Sequence, residues 1–66
     1  MITRIGIMAG EIWDYLEKNK RQALMGDIIS DLKKDRDIAL MSIGWLAREG
    51  HIVLEGRGPD YTIKLT

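Results

Sequence analysis

The hydrophobic spacing of this chain changes once, at Gly50, and that change sets most of what it can fold into. Upstream, in DIALMSIGWLARE (37–49), apolar residues recur at intervals of three and four, the spacing of a helix with a face in a core. Downstream, Tyr61, Ile63 and Leu65 alternate with Thr62, Lys64 and Thr66, the period of two that a strand requires. Glycine at the junction supplies the left-handed residue that closes a helix. Helices before Gly50 and strands after it place the chain in the α+β class.

The chain has 66 residues, enough for one core, and we read it as one domain over 1–66. A domain of this size buries only about 60% of its unfolded-chain surface, so it is marginal alone. Small folds compensate with disulfides, a metal or a partner subunit. With no Cys and one His, the first two are closed: no disulfide, no metal site and no cofactor are expected. A homodimer is the remaining device.

Four further segments complete the pattern. In 3–18, Ile5, Ala9, Ile12 and Leu16 share one helical face, with Ile2, Met8 and Trp13 on its flanks. Gly6 and Gly10 lie inside that helix, where each costs roughly 1 kcal/mol relative to Ala. Their spacing of four puts them on one side, open to a close approach or simply tolerated as a weak spot. Residues 22–24 form a very short strand. The spacing of Met25, Ile28, Ile29 and Leu32 predicts a second helix over 25–34. A polar connection of Lys34, Asp35, Arg36 and Asp37 follows, with Asp35 or Asp37 as N-cap of the third helix. Two helices on so short a turn make a helix-turn-helix. After Gly50, strands at 51–55 and 61–66 flank the turn-rich 56–60 (GRGPD), a β-hairpin. Ile12, Leu16, Ile28, Leu32, Ile43, Leu46, Ile52, Leu54, Tyr61 and Ile63 are the predicted core.

The order α-β-α-α-β-β, with the hairpin as a wing, is that of a winged helix-turn-helix. The segments AGEIWDYL (9–16) and IGWLAREGHI (43–52) resemble a small winged helix-turn-helix family of bacteria and archaea, known only as a domain of unknown function. The resemblance runs over nearly the whole chain. It implies the fold; it implies no catalytic residue and no ligand. Winged domains at large are most often DNA-binding regulators, an analogy at the level of the fold.

The third helix does not look like a DNA reader. Its core side should hold Ala39, Ser42, Ile43 and Leu46. The opposite side then carries Asp37, Met41, Gly44 and Arg48, with Leu40 and Trp45 beside it. Base edges are read by Arg, Lys, Asn, Gln, Ser or Thr, mostly from the N-terminal part of the recognition helix. Here the only such group is Arg48, at the C-terminal end. Apolar residues all round a helix need cover. Leu40, Met41 and Trp45 are therefore candidates for a dimer interface, the alternative being cover by the first helix or the chain ends.

Ten Lys and Arg balance ten Asp and Glu, for a formal net charge of zero. Nucleic-acid binders usually carry a basic excess. Any duplex DNA contact should accordingly be weak and salt-dependent. Its candidates are Lys33, Lys34 and Arg36 at the turn, Arg48, and Arg57 at the wing tip; interspersed carboxylates allow the plainer reading of solvated surface.

No chemistry-bearing motif is present: no phosphate-binding GxxxxGK[ST], no HExxH, no GxGxxG after a strand. His51 has no evident base or nucleophile partner. The chain is therefore expected not to be an enzyme, and no small-molecule substrate is evident. It holds no run of about 18 apolar residues and no signal-peptide pattern, so a cytoplasmic setting away from membranes is expected. Two functions stay open: a DNA-binding, transcription-regulatory winged helix, or a homodimeric interaction domain that does not read DNA with its third helix.

Overall fold

A computed structural model describes residues 2–33, 35–58 and 60–66. The elements are α1 (Ile2–Lys18), β1 (Gln22–Leu24), α2 (Met25–Leu32), α3 (Arg36–Arg48), β2 (Ile52–Glu55) and β3 (Thr62–Leu65), in the predicted order.

Each boundary has a local cause. Asp35 caps α3, one carboxylate oxygen accepting from the backbone N–H groups of Asp37 at 2.8 Å and Ile38 at 3.3 Å. At the other end Gly50 has φ +79°; its N–H donates to Ala47 O, and that of His51 to Leu46 O. This pair of bonds satisfies carbonyls that a helix end leaves free. The second helix is shorter than its spacing predicts. It stops at Leu32 because Lys33 adopts a left-handed conformation, φ 52°. Lys34 lies outside the described residues. After α1, Lys20 and Arg21 are both left-handed, φ 63° and 66°. Arg21 is held there by its backbone N–H on Leu16 O and by its guanidinium on Glu17 and on the Thr66 carbonyl.

The sheet is antiparallel in the order β1-β3-β2, so β3 is central. The short β1 pairs with the wing strand, Ala23 opposite Ile63. The wing is tied down as well. The Asp60 carboxylate accepts from the Gly26 N–H at 2.8 Å, and Tyr61 O accepts from the Met25 N–H. Leu24 provides no side-chain cap for α2, so Asp60 does so from across the fold.

The core lies where α1, α2 and α3 meet the sheet. Ile12, Leu16, Ile28 and Ile63 are fully inaccessible, and Ile43, Leu46 and Ile52 nearly so. Leu32 and Tyr61 pack on this cluster partly buried. Leu54 is a correction: it is 40% exposed. It faces the same way as its cross-strand partner Ile63 and as the buried Ile52, but stands two residues further along β2 toward the wing loop. Met8, Ala23 and Ile38 are core members outside the predicted set. Ser42 is completely buried; its hydroxyl lies 2.7 Å from Ile38 O and 3.1 Å from Ile5 O, within reach of both with its one proton.

Tyr15 ties α1 to α2 by donating to an Asp31 carboxylate oxygen at 2.6 Å. That bond needs the phenol protonated. It pushes the Tyr15 pKa up to about 12, with burial and the charges of Asp31 and Asp27 adding to the effect. A phenol with a raised folded-state pKa stabilises the fold fully below its unfolded value, about 10. That contribution is lost as pH rises from about 10 through 12. Absorbance titration should find Tyr15 still protonated at pH 11, and Tyr15→Phe should remove the matching alkaline loss of stability.

Candidate functional site

The phase of α3 is set by the residues it buries. Ala39, Ser42, Ile43 and Leu46 face the core, each 3% exposed or less. Ile38 joins them from the first turn. The outward side is then fixed by helical geometry: Asp37, Met41, Gly44, Trp45 and Arg48 are all exposed, and Leu40 is partly covered. Met41 is 42% and Trp45 45% exposed, so the described part of the chain does not cover them.

Trp45 stands at the edge of a shallow groove of about 280 Å³ between α1 and α3. Gly6, Ala9, Gly10 and Trp13 line it from α1, and Trp45, Leu46 and His51 from the other side. The His51 and Trp45 rings lie with centroids 6.3 Å apart at 36°. The Gly50 turn creates this contact by folding the chain back at the end of α3. Sequence spacing does not reveal it, because the two rings stand six positions apart across a change of element.

The candidate cations do not form one patch. Lys33 closes α2 and Arg36 opens α3, so these two share the turn of the helix-turn-helix. Arg48 sits at the far end of α3, about 18 Å from Arg36 at 1.5 Å rise per residue. Arg57 belongs to the wing loop. All four are exposed, and none forms an ion pair among the described residues. By contrast, Arg4, Arg21 and Lys64 are paired with Asp35, Glu17 and Glu55. Among the described residues no group of His, Cys, Asp or Glu is placed to hold a metal, and no helix is long and apolar enough to cross a membrane.

Two helices joined by a tight turn, followed by a hairpin that pairs back onto a strand after the first helix, define a winged helix-turn-helix. The chain belongs to the family described as winged helix-turn-helix domain (DUF2582), whose model matches residues 1–65. No curated protein and no solved structure matches it. The family description names a fold and no activity, so function rests on the surfaces just described.

Proposed function

We propose that this chain is a self-associating winged-helix module, an interaction domain whose third helix meets a second copy rather than a DNA groove. The observation that carries this reading is the exposed Met41 and Trp45 on the side of α3 that a DNA reader would present. Large apolar side chains left open in so small a domain favour association. Trp, Met and Arg are the types enriched at interface centres, and Arg48 stands beside them. The partly covered Leu40 borders the same surface. A two-fold pair, the commonest symmetry, brings one such patch against its copy. Sedimentation equilibrium tests it. A dimer is expected, and a chain that stays monomeric at about 1 mM rejects the reading, since even a dimer worth about 4 kcal/mol is visible there.

A second reading, binding of duplex DNA by a regulatory winged helix, is favoured by the family and by turn and wing cations that form no ion pair among the described residues. In this reading Lys33, Arg36 and Arg57 touch phosphates and Arg48 adds a weaker contact. Lys34, also a candidate by sequence, lies outside the described residues. Phosphate contacts release counterions, so binding falls steeply with salt. A titration of a mixed-sequence duplex at low salt should show dissociation constants of order 10⁻⁴–10⁻⁶ M. No binding at about 100 μM protein removes DNA as a ligand of this chain.

A further inference from the structure

The wing loop is braced on α2 at two points of its C-terminal limb. The Asp60 carboxylate accepts the Gly26 N–H at 2.8 Å, and the Tyr61 carbonyl accepts the Met25 N–H at 2.8 Å. Two glycines allow this fit. A Cβ at Gly26 would lie 3.3 Å from Asp60 Oδ1, and one at Gly58 would lie 3.1 Å from the Tyr61 hydroxyl oxygen. Neither glycine has a positive φ, so close approach is what the missing side chain provides at both. At the base of the hairpin, Lys64 Nζ stands 2.8 Å from Glu55 Oε1. Connecting loops are commonly the mobile part of a small fold; this one is held against a helix.

We propose that Asp60 is a positioning residue, a latch that joins the wing to α2 so that Arg57 and the basic turn after α2 meet a duplex as one rigid surface. The inference rests on the DNA reading above and names what orients its contacts. Asp60 grips the first turn of α2, and Lys33 closes the other end of that helix, about 12 Å away at 1.5 Å rise per residue. Arg36 opens α3 just beyond. One brace therefore fixes the wing relative to both turn cations. A side chain offered by a held loop loses less freedom on binding than one on a free loop. The charge of Asp60 works against this role, because a carboxylate beside a phosphate-binding surface repels its ligand. Its bond to Gly26 has to outweigh that repulsion, and the two effects can be separated.

Asp60→Asn keeps an oxygen that can accept the Gly26 N–H and removes the charge; Asn caps a helix about as well as Asp. Asp60→Ala removes both. On a mixed-sequence duplex at low salt, Asp60→Asn should bind as tightly as the wild type or more tightly. Asp60→Ala should bind at least threefold more weakly than Asp60→Asn. Charge alone would leave the two variants equal, so equal affinities overturn the latch and leave DNA binding standing. A wild type that shows no binding at about 100 μM overturns both. Nitrogen-15 relaxation of the free wild type needs no variant. The Arg57 and Gly58 amides should have order parameters near the 0.85 or so of rigid backbone, and values below about 0.6 overturn the latch whether or not DNA binds.

Discussion

Replacing Leu46 by alanine should cost about 2–5 kcal/mol, the range for a large core side chain truncated to a methyl. Leu46 is 3% exposed and belongs to the cluster that α1, α3 and the sheet share. Its carbonyl also accepts the His51 N–H that closes α3, so a shift of the backbone into the cavity would loosen that closure too. Total stabilities of small domains lie near 5–15 kcal/mol, and a chain of this size belongs at the low end. The variant should therefore be partly unfolded near 37 °C. Urea unfolding followed by circular dichroism measures the cost. A loss below about 1 kcal/mol would mean that Leu46 sits in looser packing than its burial indicates. Leu54→Ala provides the contrast, since an edge-strand residue 40% exposed should lose far less.

Trp45→Glu should have the second large effect, on association and not on folding. Trp45 is 45% exposed, so a carboxylate there can stay hydrated in the monomer. In a dimer built on that face, the same charge would be taken out of water without a partner. The dissociation constant should rise at least a hundredfold with little change in the monomer's melting temperature. Leu40→Glu should act in the same direction. It is the less clean variant, because Leu40 is already partly covered within the chain and its replacement also disturbs the fold. An unchanged dimer in Trp45→Glu would move the interface away from α3.

The residues that announced the fold are those whose environment is local. Gly50 closes α3 by a rule that involves only its neighbours, and Asp35 caps it by another. The phase of α3 was equally legible, because Ala39, Ser42, Ile43 and Leu46 repeat at helical spacing and are all buried. Errors arose where burial depends on distant partners. Leu54 has the same alternation as the buried Ile52, but stands two residues further toward the wing loop, and alternation within one strand does not say how far along it the core reaches. Ile38 and Met8 are covered by elements far away in sequence. Lys33 ends α2 in a left-handed conformation that its residue type does not suggest. The candidate surface divided in the same way. Exposed Met41 and Trp45 followed from the helical phase, whereas the groove needed the fold to bring Gly10 and His51 to opposite walls of one space.

The central strand of the sheet is also the last strand in the sequence, and this bears on how the chain is made. Ile63, fully buried, comes from β3, whose two edges accept β1 and β2. The Arg21 guanidinium reaches the Thr66 carbonyl across 45 positions, and the Leu65 N–H returns to Arg21 O. Synthesis adds about 5–20 residues per second, so the last residue of α3 is joined about one to three seconds before β3 begins. Until β3 arrives, β1 has no neighbour and Ile12, Leu16 and Ile28 have no sheet to close over them. Folding then waits for the final strand to thread between two edges already synthesised.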